Sequence, residues 1–214
     1  LKDRGICAAG IKKYHNIMKN LLILVLLLIA IGCGRSSSDQ EESSQDKLPE
    51  VTQTGANTAG CYVNSKLLIP KDGINGISGG IIKGLESYLG NNFQPPVLGN
   101  DYFSFRIYNL KNKEKSYWIY VHINSLQNGV GEYTINQGVA DFLTQTGHPY
   151  IYARETYDGI SSTTYLSSDN SGKIIITKLT NSICSGTFSG TLYNIDNPTE
   201  KILVTDGRFD IKIQ

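Results

Sequence analysis

Four kinds of side chain in this sequence have types and spacing that bear on chemistry. They are a cysteine ending an apolar run, a serine in a glycine-rich stretch, two separated histidines and a dense set of tyrosines. Cys33 carries the strongest signal. It closes Ala30-Ile31-Gly32-Cys33, behind the unbroken apolar run 21–31, Lys19, and Met18, the only methionine in 214 residues. A basic start, a short apolar run and small residues before a cysteine predict an export signal cut between Gly32 and Cys33, with Cys33 taking lipid. The run falls short of the ~20 apolar residues that span a bilayer. Ala30 and Ile31 are not the commonest residues at their places in such signals, which bears on the efficiency of cleavage more than on export.

The serine sits in Gly76-Ile77-Ser78-Gly79-Gly80, a formal G-x-S-x-G. A nucleophile elbow needs a buried strand before the serine and a helix after it. Here 71–75 (Lys-Asp-Gly-Ile-Asn) reads as a loop, and no parallel α/β pattern surrounds it. Chain order would allow Ser78, Asp101 or Asp141, and His148 as a triad, so a secreted serine hydrolase is the remote alternative. Ser44-Gln45-Asp46-Lys47 matches S-x-x-K but lies in a segment too polar to hold reacting groups in place. His122 and His148 have no local partner at metal-ligand spacing. Asp169-Asn170-Ser171-Gly172 lacks the later glutamate of a calcium loop and reads as a turn. No catalytic residue, metal or cofactor is assigned.

With the leader removed, 15 Lys and Arg stand against 18 Asp and Glu, a net charge of −3. That balance offers no basic surface for nucleic acid. Four cysteines are present, at 7, 33, 61 and 184. Cys61 and Cys184 leave two readings: one disulfide in an oxidising compartment, or two small buried core residues.

The elements that must position these groups follow from composition and period. Residues 1–17 lack any period and precede a complete signal, so they read as a mis-called extension; 18–32 is the signal. Residues 33–53, with GRSSSDQEESSQDK, bury too little to offset chain entropy and read as a flexible tether. Residues 54–214 form one domain, long enough for its own core. Short runs rich in Tyr, Ile and Thr alternate with turn residues, which predicts an all-β antiparallel sandwich or barrel of nine or ten strands. Asn64-Ser65 and the stretch 111–115 mark two hairpins. Asp206-Gly207 reads as the turn of a third. The only candidate helix is a short one at 81–89.

Thirteen tyrosines and a single tryptophan give the second hairpin a face that bears on function. Centred on Lys113, it pairs Phe103 with Ile123, Phe105 with Val121 and Ile107 with Ile119, an apolar face. The other face sets Tyr108 against Trp118, Arg106 against Tyr120 and Ser104 against His122. Arg106, Tyr108, Trp118, Tyr120 and His122 are therefore the candidate binding face if solvent reaches them, because Trp, Tyr and Arg anchor recognition. The plainer reading is that another segment covers them, and Tyr is a favoured strand residue in any case.

Short motifs spread over the domain carry a resemblance. They are Thr54-Gly55-Ala56-Asn57-Thr58, Gly60-Cys61, Val63-Asn64, Gly131-Glu132-Tyr133, Gly172-Lys173-Ile174, Thr177-Lys178-Leu179, Ser185-Gly186-Thr187-Phe188 and Thr205-Asp206-Gly207-Arg208-Phe209-Asp210. In this order behind a lipoprotein leader, they resemble a family of uncharacterised Bacteroidota lipoproteins, a domain of unknown function. The resemblance implies an outer-membrane lipoprotein, periplasmic or surface-facing, and brings no activity or catalytic residue. Cys184 stands where an aliphatic residue is expected in that family, which speaks against a family-wide bridge to Cys61. The acidic cluster Asp39, Glu41 and Glu42 resembles a surface-export signal, with a solvated spacer as the simpler reading. The expectation is a binding module held to the membrane through Cys33, with a glycan, a peptide or an envelope protein as its partner. The alternative is a structural or assembly lipoprotein without a small ligand.

Overall fold

A computed structural model of the chain describes residues 46–74, 79–90, 102–111, 115–140, 146–157 and 161–213. The predicted signal, Cys33, most of the predicted tether, Ser78, Asp101 and Asp141 lie outside the described residues.

The fold is all-β and antiparallel, as composition and period predict. Strands β1 (Thr58–Val63) and β2 (Lys66–Leu68) form the first hairpin. Asn64 and Ser65 both take positive φ, 48° and 65°, in the two-residue turn that matches strand twist. A separate two-stranded hairpin follows, β3 (Gly73–Ile74) with β4 (Ile81–Ile82). Then come β5 (Leu85–Leu89), β6 (Tyr102–Tyr108), β7 (Lys115–Asn124), a 3-10 turn at Leu126–Asn128, β8 (Gly131–Ile135), β9 (Tyr150–Tyr157), β10 (Ser161–Leu179), β11 (Ile183–Asn194) and β12 (Lys201–Lys212). The main sheet runs β2-β1-β12-β11-β10-β9-β7-β6-β5. Strand β9 pairs with the first part of β10, and β8 pairs with its later part.

Two expectations are corrected. The short helix expected at 81–89 is absent; those residues form β4 and β5. Alternation decides it: Leu85 and Leu89 pack on the core, whereas Glu86 faces Arg106 on the other side. Gly84 also lies so close to the Lys71 backbone that a Cβ would sit 2.5 Å from its nitrogen, which fixes the chain as it enters β5. The turn expected at Asp206-Gly207 is instead a bulge within one continuous strand. Between Arg208 and Thr205, β12 places two residues opposite Cys61 alone, and Asp206 takes φ 51°. The turn expected at 169–172 likewise lies within one strand, β10, as an irregularity where Asn170 takes φ 57°. A left-handed residue suits a bulge as well as a turn.

These bulges let the sheet curl into a half-barrel. Strand β6 lies five strand spacings from β12, about 24 Å in a flat sheet. Yet the rings of Phe105 and Phe209 are 4.8 Å apart, and Phe105 meets Phe188 edge-on at 5.8 Å. The concave face is thus the core. It gathers Ile107, Ile119, Val121, Ile151, Ile174 and Leu192, among others. Gly186 and Gly207 keep this wall thin: a Cβ on either would run into the facing carbonyl, of Ile175 or Phe188.

Residues 46–57, ahead of β1, belong to the same compact unit as the strands. Its first residues are strapped over β12. The buried Asp210 carboxylate accepts Thr52 Oγ1 at 2.6 Å, Thr54 N–H at 2.9 Å, Thr54 Oγ1 at 3.3 Å, Gly55 N–H at 2.8 Å, Ala56 N–H at 3.2 Å and Ser185 Oγ at 2.6 Å. Arg208 donates to the Pro49 carbonyl at 3.0 Å and Lys178 to that of Gln53 at 2.7 Å. Three of the short motifs, those at 54–58, 185–188 and 205–210, therefore meet at one carboxylate.

Cys61 and Cys184 are free and buried, so the disulfide reading is corrected to that of core residues. Cys184 pairs with Ile211 on one side of β12, while Cys61 lies across β12 near the bulge. Two strand spacings of ~4.8 Å already exceed the ~7 Å limit between bridged Cα atoms. Burial pushes each thiol up to about 12.

Candidate functional site

The β6–β7 ladder pairs as the sequence predicts: Phe103 with Ile123, Phe105 with Val121, Ile107 with Ile119, and on the convex side Ser104 with His122, Arg106 with Tyr120 and Tyr108 with Trp118. Strand alternation turns the first set into the core and the second outward. The neighbouring strands extend the convex row. Glu86 and Tyr88 of β5 stand beside Arg106 and Ser104, and Arg154, Tyr152 and Tyr150 of β9 beside Trp118, Tyr120 and His122.

Solvent divides this row into two parts. Tyr120, His122, Tyr150 and Tyr152 are buried, at 5%, 2%, 0% and 4% exposure. Tyr120 and His122 are therefore removed from the candidate binding face. Among the described residues, their cover comes from the connection between β8 and β9. Val139 packs on the tyrosines together with Leu166 of β10. The connection is tied down by Asn136 N–H to the Pro149 carbonyl at 2.9 Å, Gly138 N–H to the Ser167 carbonyl at 2.9 Å, and a 2.8 Å contact between His148 Nε2 and the Gln137 carbonyl. His148 is thus a loop fastener in the described structure.

His122 is boxed by rings, 4.9 Å from Tyr150, 5.4 Å from Tyr102 and 6.4 Å from Tyr120. Burial, with His148 adding to it, lowers its imidazole to about 4. The Thr146 backbone lies near enough to favour protonation slightly, but among the described residues no well-formed hydrogen bond reaches either ring nitrogen. His122 is neutral at physiological pH and has the surroundings of a core residue.

The other part of the row stays partly open. Tyr88, Arg106, Tyr108 and Trp118 are half-buried, and Arg154 is exposed. Arg106 ties them together. Its Nη2 lies 2.5 Å from Glu86 Oε2, which also accepts the Tyr88 hydroxyl at 2.5 Å. Its guanidinium carbon sits 5.9 Å from the Trp118 ring centre, within cation–π range. Tyr152 supports Trp118 edge-on at 5.2 Å. Burial and then the Glu86 bond push the Tyr88 phenol up to about 12, so it stays a donor. The strip presents aromatic surface, a fixed guanidinium and hydroxyls. That is the equipment of recognition by stacking and hydrogen bonding.

Strand β5 joins this strip to a cleft of about 570 Å³ between β5 and the end of β12, lined by Leu85, Ser87, Leu89, Phe103, Ile211 and Ile213 among others. β5 ends the sheet. Gly84 and Gly90 bond to β6 through the Tyr108 N–H and the Tyr102 carbonyl. Even-numbered residues therefore face β6, and the N–H and C=O groups of Leu85, Ser87 and Leu89 face outward.

A buried glutamate, Glu155, forms a separate polar cluster on β9. The hydroxyls of Tyr157 and Tyr165 donate to Oε2, and Tyr117 also bonds to it; burial raises the Tyr117 phenol further. It is enclosed by the sheet, with 2% exposure, and serves packing. Among the described residues, no group of three or more His, Cys, Asp or Glu is placed to hold a metal ion. Asp169 accepts the Gln137 N–H at 3.1 Å and belongs to the bulge of β10.

Glu86, Tyr88 and Arg154 are additions to the residues predicted from sequence. The first two were hidden by the helical reading of 81–89. Arg154 was within reach, since β9 alternates Tyr150, Tyr152 and Arg154 on one side.

Comparison of the chain with protein-family models, curated proteins and solved structures finds no match.

Proposed function

We propose that this protein is a lipid-anchored binding module of the bacterial cell envelope that uses the strip Tyr88, Arg106, Tyr108, Trp118 and Arg154. The location is read from the signal ending at Cys33 and from the resemblance to Bacteroidota lipoproteins. The observation that carries the binding role is the strip itself. It is half-open, and Arg106 is held between Glu86 and Trp118. Its geometry suits an envelope glycan, which offers apolar ring faces for Trp118 and Tyr108 and hydroxyls for Arg106 and Arg154. The Glu86–Arg106 pair fixes the guanidinium beforehand, which lowers the ordering cost of binding. The test is retention of the lipidated protein on immobilised envelope polysaccharide. Trp118→Ala should lower retention tenfold or more while a cooperative unfolding transition is kept, at a melting temperature lowered by the lost Tyr152 packing. Equal retention of both proteins overturns the proposal. Cys33→Ser should move the domain from the membrane to the soluble fraction.

A second reading rests on β5. An assembly lipoprotein would take a partner's strand along the outward groups of Leu85, Ser87 and Leu89. Ser87→Pro removes one outward donor and leaves the β6 ladder intact. If it abolishes pull-down of envelope proteins while glycan retention is absent in wild type, the assembly reading replaces the glycan one.

A further inference from the structure

The β3–β4 hairpin projects from the end of β6 with its aliphatic side chains in solvent: Ile74 is 76% exposed, Ile81 70% and Ile82 36%. Ile74 and Ile81 face each other across the ladder and form one patch, while Ile82 stands on the other side of the two-stranded ribbon. Its base is firmly held. Lys71 N–H donates to the Tyr108 carbonyl at 3.0 Å, Leu110 N–H to the Lys71 carbonyl at 3.0 Å, and Gly84 N–H to Asp72 Oδ1 at 2.9 Å. A rigid base beneath exposed isoleucines is a costly arrangement in water unless something receives them.

The way the chain enters the domain says what that is. Asp46, the first described residue, is ion-paired at 2.6 Å to Lys71, at the base of this hairpin. Only 13 positions separate Cys33 from Asp46, at most about 45 Å fully extended. In a domain hung from a lipid at Cys33, the tether therefore joins at the corner that carries Ile74, Ile81 and Ile82. Around that corner stand Lys71, Lys83 and Lys111 against Asp46 and Asp72, a slight positive excess.

We infer that the β3–β4 hairpin is a membrane foot. Ile74, Ile81 and Ile82 enter the interfacial zone of the bilayer beside the anchor, with Lys71 and Lys83 at the headgroups. The foot fixes the domain's orientation and directs the remainder of the half-barrel away from the lipid. This rests on the reading of Cys33 as the lipid site.

The buried, poorly ionised Cys61 and Cys184 permit a selective test, because a surface cysteine can be labelled over them. The full lipidated chain with Ile81→Cys, carrying an environment-sensitive dye, is reconstituted in phosphatidylcholine–phosphatidylglycerol vesicles. The control places the same dye at Val130→Cys, an aliphatic position 59% exposed beyond the opposite end of β7. Intact mass reads acylation of Cys33 in both samples. The expected result is a blue-shifted dye at position 81, quenched at least twofold by doxyl-labelled lipid, with neither effect at 130. Adding Ile74→Asp should reverse the shift. An acylated protein whose dye at 81 behaves like that at 130 overturns the foot while leaving the anchor standing. A protein without acyl chains overturns the anchor reading itself. A shift at 81 that appears without vesicles at raised protein concentration assigns the patch to a second copy and also overturns the foot.

Discussion

Two buried residues set the pH response, and they act in different windows. The His122 imidazole, lowered to about 4 by burial, binds its proton more weakly in the folded chain than in the unfolded one, where it titrates near 6.5. The unfolded state thus gains protons first as pH falls. Stability is unaffected above pH 6.5 and drops between about 6.5 and 4, by ~3 kcal/mol in all. Urea unfolding of His122→Phe should lose that slope. For Asp210, burial alone would raise the carboxyl, but Ser185, Thr52 and the Thr54 and Gly55 amides together hold it well below the usual range. Its stabilisation is complete above its unfolded value and is lost only at more acidic pH, as the folded carboxyl protonates. Asp210→Ala leaves several N–H groups without their acceptor and should cost about 3 kcal/mol or more in the same assay. Cys61 and Cys184 should resist thiol reagents in the native protein and react on unfolding; an intact mass lower by the two hydrogens of a disulfide would contradict the free thiols. Such environments were not legible in the sequence. Nothing local to His122 announces that residues 136–140 and 146–149 lie over its side of the sheet.

At the scale of elements, period was a good guide wherever it persisted. Residues 102–108 and 115–124 alternate over enough positions that register, face and partner all followed from sequence. The failures fall where a run is short or a dipeptide suits two structures. Residues 81–89 fit both a helical stripe and two brief strands, and pairing with β6, which the segment does not itself reveal, selects the alternating strand. Asp206-Gly207 suits a hairpin turn and a bulge equally. Its role depends on β11 continuing unbroken alongside. Gly207 is required there for space, since a Cβ would strike the Phe188 carbonyl and ring. Gly207→Ala should lower stability by about 1–3 kcal/mol through overpacking and displacement of Phe188, measured by thermal unfolding.

The described domain is one curled main sheet with a small second hairpin beside it. The β1–β12 end carries the N-terminal strap, and the β5–β6 end carries the aromatic strip and the β3–β4 hairpin. The strap is part of the fold, so a protein starting at Thr58 should melt roughly 5–10 °C below one starting at Asp46, given the Asp210 bonds it forfeits. All-β character and antiparallel order could be read from composition and turns. The curl could not, because it comes from bulges in β10 and β12 that neither strand advertises alone. The half-open strip likewise emerged only when β5 and β9 were placed beside β6 and β7.

The central claim, that this strip receives a ligand, has a built-in reporter. Trp118 is the only tryptophan in the chain. Titration of the lipidated protein with soluble envelope polysaccharide, exciting tryptophan alone, should shift its emission and reduce acrylamide quenching at least twofold, with Arg106→Ala weakening the response. Saturable binding of that polysaccharide with emission and quenching of Trp118 unchanged would contradict the account, because the ligand would then lie elsewhere on the half-barrel.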